Sequence, residues 1–222
     1  MSTSNLSEHP HKDQPIKTGG SEADSAELFI IMLHGRGSNP EDMLGLAGHL
    51  HQEKVRFLAP QAYNFTWYPY PFTYPVSHNE PHLSSALAKV DEMVEDLISG
   101  GTDSRRIMIM GFSQGACLAT EYVARNPRPY GGVAGLSGGL IGPEIEEERY
   151  KGSLSNTPVF LGCSNIDPHI PEQRVHDTER ILTWLDAEVS TQIYPGMGHM
   201  VNEDEIDHVN EIIAKALGKN SA

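Results

Sequence analysis

The thirteen residues from Ile107 to Ala119, Ile-Met-Ile-Met-Gly-Phe-Ser-Gln-Gly-Ala-Cys-Leu-Ala, constrain the fold of this chain more than any other stretch. They open with an unbroken apolar run, which is what a parallel strand covered on both faces requires. The run passes through Gly111-Phe112-Ser113-Gln114-Gly115 into small residues that read as a helix. A serine on so sharp a strand-to-helix turn projects its hydroxyl above the sheet edge. A side chain at Gly111 or Gly115 would collide with the neighbouring strand or helix. The start of the helix would also aim backbone N–H groups at negative charge forming on a bound carbonyl oxygen. The pentapeptide by itself is equally compatible with a tight turn and an incidental serine. Its place between an apolar strand and a helix gives it weight.

The rest of the chain repeats the same alternation. Leu28–Leu33 reads as a buried strand running into His34-Gly35-Arg36-Gly37-Ser38-Asn39-Pro40, and Met43, Leu46, Ala47 and Leu50 follow at helical spacing. Val55–Ala59 is the next strand, stopped by Pro60. A helix with Leu83, Leu87, Val90, Val94 and Leu97 on one face should end at Gly100-Gly101. The helix after Ser113 should stop at Asn126, because a residue before proline avoids the α region. Strands are predicted at Gly132–Leu136, Pro158–Leu161 and Ser190–Tyr194, with a helix carrying Val175, Leu182 and Leu185 before the last. Asn202 and Glu205 are spaced like a capping box for a closing helix that turns Ile206, Val209, Ile213 and Ala216 inward.

No composition break or internal repeat interrupts this pattern, which predicts one α/β domain over residues 26–222, a mostly parallel sheet with helices on both faces. Residues 1–25, rich in Ser, His, Pro, Gly and Asp, read as a mostly flexible arm with one edge strand near Pro15–Thr18. Between Tyr63 and Tyr74 seven aromatic residues are interspersed with Pro69 and Pro71, so this segment is expected to be a long ordered loop. Ile141–Leu154 is too short to build a helical cap, and an open cleft is expected.

A formal net charge of −14 argues against nucleic acid or an anionic membrane surface as partner. No apolar run has the length of a membrane span and the first 25 residues lack a signal-peptide core. Two cysteines, Cys117 and Cys163, make no disulfide framework. A cytoplasmic protein is therefore expected. The eleven histidines contain no His-Glu-x-x-His, and Cys-x-x-Cys is absent, so neither metal nor cofactor is expected.

In a sheet of this kind functional residues gather on loops at the carboxyl ends of strands. Ser113, Asp167 and His199 all fall there, in the Ser–Asp–His chain order of α/β-hydrolases. A serine hydroxyl needs a base to become a nucleophile, imidazole is poised for that near neutral pH, and a carboxylate would fix the imidazole tautomer. Asp177 and Asp186 are rivals for the acid but lie within a predicted helix. His34 and His169 are rivals for the base. Cys117 lies one helical turn beyond Ser113 and so is not at the elbow, and it reads as small packing.

The chain resembles the small α/β-hydrolases of the phospholipase/carboxylesterase group, which includes the acyl-protein thioesterases. The resemblance covers nearly everything from Leu28 onward. It rests on Leu33-His34-Gly35-x-Gly37, Gly111-Phe112-Ser113-Gln114-Gly115-Ala116, Asp167-x-x-Ile170-Pro171 and Gly196-x-Gly198-His199. It implies an α/β-hydrolase fold without a cap domain, with Ser113 as nucleophile, Asp167 as acid and His199 as base. It implies an oxyanion hole from the backbone N–H groups of Arg36 and Gln114, and a substrate-side loop at Trp67 and Tyr68. The activity implied is hydrolysis of small-molecule carboxylic esters or thioesters through an acyl-enzyme, and family members often form homodimers. Arg36 replaces an apolar residue of the acyl-protein thioesterases, which points to short-to-medium acyl groups. Two other readings use the same residues: a ligand-binding protein that kept the fold without the chemistry, and a lysophospholipase or amide hydrolase.

Overall fold

A computed structural model describes residues 8–51 and 53–219. The apolar runs become the strands of one sheet. They are β1 (Ile16–Gly20), β2 (Leu28–Leu33), β3 (Val55–Pro60), β4 (Ile107–Phe112), β5 (Gly132–Leu136), β6 (Pro158–Ser164) and β7 (Glu188–Tyr194). The helices are α1 (Pro40–Ala47), α2 (His82–Ser99), α3 (Gln114–Arg125), α4 (Glu172–Trp184) and α5 (Glu203–Ala216). Strand order is β1-β3-β2-β4-β5-β6-β7, with β1 antiparallel to β3 and every other pairing parallel.

Each face of the sheet is covered, which explains the unbroken apolar runs. Ile31, Leu33, Ile107 and Ile109 pack with α2, α3 and α4, whereas Leu28, Ile30, Met32, Met108 and Met110 pack with α1 and α5. β7, an edge strand, alternates exposed and half-buried residues instead. Leaving aside the antiparallel edge strand β1, numbering ascends from β2 to β3 in one direction and from β4 to β7 in the other. The carboxyl ends of β2 and β4 therefore flank the switch point where such sheets form a crevice.

The edge strand expected near Pro15–Thr18 is β1, antiparallel to β3. Within the segment read as a mostly flexible arm, Pro10 and His11 are buried, whereas Glu8, His9 and most of β1 are exposed. The first seven residues lie outside the described ones. β6 runs three residues further than its apolar core, to Ser164. Between β5 and β6 the only helical turn among the described residues is Glu147–Arg149, so no helical cap stands over the crevice. No helix among the described residues is long and apolar enough to cross a membrane.

Candidate active site

Ser113 sits where β4 turns into α3 with φ 55° and ψ −119°, a backbone conformation that a non-glycine residue adopts only when its surroundings impose it. The flanking glycines supply that constraint. A Cβ on Gly111 would lie 2.3 Å from the backbone of Gly115, and one on Gly115 would lie 2.0 Å from the Leu33 carbonyl oxygen. The helix can therefore lie against β2 and β4 only with hydrogen at both positions.

The hydroxyl of Ser113 is 2.9 Å from His199 Nε2, and His199 Nδ1 is 2.6 Å from Asp167 Oδ2. The Asp167 side chain is enclosed although its backbone is partly exposed, and burial alone would raise its pKa. Hydrogen bonds from His199 and from the backbone N–H groups of His169 and Ile170 outweigh that effect and hold it below the ordinary value. An ionised carboxylate only accepts, so Nδ1 of His199 carries the proton and Nε2 presents its lone pair to the Ser113 hydroxyl. The two loops are tied together. Asn165 Oδ1 accepts from the Gly196 N–H at 2.9 Å and Ser164 Oγ from the Gly198 N–H at 3.1 Å. The His199 ring lies between Phe112 and His169, with centroids at 5.0 and 4.9 Å. Asp177, Asp186 and His34 have no place in this chain of hydrogen bonds.

His34 instead fixes the loop after β2. Its Nε2 accepts from the Ala62 N–H at 3.0 Å, so its proton is on Nδ1, which donates to the Gly35 carbonyl at 2.7 Å. Burial lowers its pKa and keeps it neutral. The loop leaves the backbone N–H of Arg36 without a protein acceptor among the described residues, as the elbow leaves that of Gln114. These are the two groups the sequence proposes as oxyanion donors. The Gln114 side chain has a separate job. Its Oε1 accepts from the Trp67 N–H at 2.9 Å and its Nε2 donates to the Tyr68 carbonyl at 2.8 Å, holding the aromatic loop over the elbow.

A cleft of about 620 Å³ opens over Ser113 and His199. Its apolar lining joins Met43, Leu46 and Val201 of one core cluster to Tyr68, Phe72, Cys117 and Ile170 of the other, with Arg36, Asp42 and His169 among the polar lining residues. A larger concavity of about 820 Å³ between β7 and α5 holds neither Ser113 nor His199, and the serine and histidine that line it, Ser190 and His208, make no hydrogen bond with each other. Tyr68 is among the cleft-lining residues, whereas Trp67 is fully buried and its indole N–H donates to the His34 carbonyl at 2.8 Å. It is a brace behind the loop rather than a wall of the cleft. The Arg36 side chain pairs with neither Glu41 nor Asp42. Its guanidinium donates to the carbonyls of Pro69 (2.8 Å) and Tyr70 (3.0 Å), while Glu41 bonds Lys17 and Asp42 accepts from Ser38.

The sequence reading missed His11 altogether, and of Glu205 it saw the capping box but not the burial of the carboxyl. Nothing in the residues around either signals burial. Yet His11 is fully enclosed by the aromatic loop and α2, and the Glu205 carboxyl is fully buried against Gly162.

Residues 20–217 match the family model described as Phospholipase/Carboxylesterase. The chain is 26% identical over 217 residues to acyl-protein thioesterase 1 of Kluyveromyces lactis, covering 89% of this chain and 95% of that one. The corresponding protein of Saccharomyces cerevisiae is also 26% identical, with 86% and 94% covered. Among solved structures, a phospholipase/carboxylesterase from Dyadobacter fermentans superposes with a TM-score of 0.88 at 44% identity, over 90% of this chain and 97% of that one.

Proposed function

The chain belongs to the phospholipase/carboxylesterase family, and on that premise we propose that it is a serine hydrolase of carboxylic esters and thioesters in which Ser113, His199 and Asp167 perform the chemistry. The observation that carries this reading is the unbroken line from Ser113 Oγ through both nitrogens of His199 to Asp167, at 2.9 and 2.6 Å.

The steps follow from the proton positions. As Ser113 Oγ attacks the acyl carbon, His199 Nε2 takes its proton, and the imidazolium that forms faces the Asp167 carboxylate. The carbonyl oxygen gains negative charge and is met by the backbone N–H groups of Arg36 and Gln114 at the start of α3. Collapse of the tetrahedral intermediate expels the alcohol or thiol, which leaves with the proton from His199. Water then attacks the Ser113 ester by the same route, releasing the acid and restoring the serine. The absence of a helical cap supports a cleft reached without a lid. Its apolar walls, with Arg36 among the lining residues, favour short-to-medium acyl groups.

Ser113→Ala should lower kcat on p-nitrophenyl butyrate by about 10³-fold or more. Its circular dichroism should stay that of the parent, and fluorophosphonate labelling should vanish. A mutant that still turns over at the parent rate would overturn the assignment. Parallel assays with an acyl thioester and a lysophospholipid then rank the leaving groups.

A further inference from the structure

We propose that His11 is a positioning residue for the oxyanion hole, acting through Trp67 from a strand-preceding segment far from the elbow in sequence; this rests on the reading of Arg36 and Gln114 given above.

The imidazole is fully buried, and each ring nitrogen meets a backbone group of fixed polarity. Nδ1 is 3.0 Å from the Tyr63 N–H, which can only donate, so Nδ1 is the acceptor. Nε2 is 2.9 Å from the Trp67 carbonyl, which can only accept, so Nε2 carries the proton. One ring thereby pins both ends of the segment from Tyr63 to Trp67. Burial pushes the His11 pKa down to about 4, outweighing the hydrogen bond to the Trp67 carbonyl that would raise it, so the ring is neutral at neutral pH. The His11 backbone N–H donates to Ser85 Oγ at 3.0 Å, which seats the segment on α2.

Trp67 carries the constraint onward in two directions. Its indole N–H donates to the His34 carbonyl, two residues before Arg36. Its backbone N–H donates to the Gln114 side chain. The His11 ring also packs on the indole, with centroids 5.4 Å apart. Both proposed oxyanion donors therefore belong to residues or loops that Trp67 touches, and His11 fixes where Trp67 stands. Backbone donors stabilise an oxyanion only when their positions are preset, so a loosened Trp67 should weaken the transition state more than it weakens substrate binding.

The test compares His11→Phe, which keeps a ring and loses both hydrogen bonds, with His11→Gln, which offers one acceptor and one donor at similar reach. Rates are expressed per active site titrated with a fluorophosphonate, so that unfolded protein does not count. For His11→Phe, kcat on p-nitrophenyl butyrate should fall about tenfold with KM within about twofold. The Ki of an alkyl trifluoromethyl ketone, whose hemiketal oxygen takes the oxyanion position, should rise by the same factor. His11→Gln should recover to within about threefold of the parent. Ser85→Ala, which removes only the backbone anchor, should move kcat in the same direction by about twofold and keeps the test open if His11→Phe does not fold. Unchanged kcat per titrated site in His11→Phe or, without it, in Ser85→Ala, or equal loss in the Phe and Gln variants, would overturn the proposal. Because Ser113→Ala tests the hydrolase reading separately, an unaffected His11→Phe beside an inactive Ser113→Ala removes this inference alone.

Discussion

The nucleophile elbow and the aromatic loop lie against each other, yet they are specified in opposite ways. The elbow is encoded within a few residues: Gly111 and Gly115 leave room for close approach, and β4 and α3 hold Ser113 between them. The loop from Gln61 to Tyr74 has little repetitive structure of its own. Its position is set by His11, His34, Arg36, Asn79 and Gln114, contributed by four other parts of the chain. A site of this kind joins a turn fixed locally to a wall fixed remotely. Substitutions should break the two in different currencies: fold for the first, rate for the second.

The largest effect is expected at Gly115. A Cβ there would lie 2.0 Å from the Leu33 carbonyl oxygen and 2.7 Å from that of His34, both backbone atoms that cannot turn aside. Gly115→Ala should destabilise by more than about 4 kcal/mol, or prevent soluble expression. Gly37→Ala is the control. Its φ is +78°, but nothing lies within 4 Å of the added carbon, so strain alone should cost about 1–2 kcal/mol. Urea unfolding of both variants decides; equal losses would mean that close approach does not dominate at the elbow.

Trp67→Phe probes the loop. The ring stays and the indole N–H is lost, leaving the buried His34 carbonyl without that donor. Stability should fall by about 1–3 kcal/mol. By the account above, kcat should drop several-fold at nearly constant KM. A loss of stability with no change in kcat would show that the loop only packs.

This contrast explains what could be read in advance. The strands, the helix boundaries and the Ser113–Asp167–His199 order follow from periodicity and from turn residues next to one another, and the sheet places those strand ends side by side. The edge strand β1 is legible too, but the burial of His11 and of Trp67 cannot be read that way. A histidine among Ser, Pro, Lys and Asp carries no local signal of burial, because its partners Tyr63, Trp67 and Ser85 lie 52 to 74 residues away. Trp67 and Tyr68 are adjacent aromatics, and only the folded loop separates the brace from the cleft wall. Glu205 is the mixed case. Its capping-box spacing with Asn202 is legible and present, but the enclosure of its carboxyl by β6 is not.

That enclosure has a pH signature. Burial raises Glu205 to about 7, with its second oxygen left without a hydrogen-bond partner. A carboxyl whose folded pKa exceeds its unfolded one binds more protons in the native state between the two values. Stability should therefore decline as pH rises from about 4.5 to about 7 and level off above, a loss on the order of 3 kcal/mol from this group. Asp167, held low, acts oppositely: its contribution is present above the ordinary carboxylate range and is lost as pH falls through its folded pKa. Glu205→Gln should flatten the decline and leave the protein about 1–3 kcal/mol more stable at pH 8. Urea midpoints across pH 4.5–8 test this, and parallel curves for the two proteins would refute it.

The smallest effect belongs to Arg36, where the two regions meet in one residue. Its backbone N–H belongs to the loop after β2, and its guanidinium belongs to the aromatic loop, donating to Pro69 and Tyr70 and lying 6.0 Å over the Tyr68 ring. Only two of its five N–H donors are occupied by those carbonyls, and Arg36 is one of the residues that line the cleft, so a guanidinium bordering it would keep that part of the wall polar. An acyl chain gains about 0.8 kcal/mol per CH₂ only where it displaces water from an apolar surface, so a chain running past a guanidinium forgoes part of that gain. Arg36→Leu should then raise kcat/KM for octanoyl relative to acetyl esters by about three- to tenfold, equivalent to one or two recovered methylenes. The same substitution removes two hydrogen bonds from the loop, which should lower both rates together. The ratio therefore reports the wall, and the common factor reports the clamp. If both esters slow equally and the ratio stays fixed, Arg36 serves the loop alone, and the acyl preference must come from Tyr68 and Phe72.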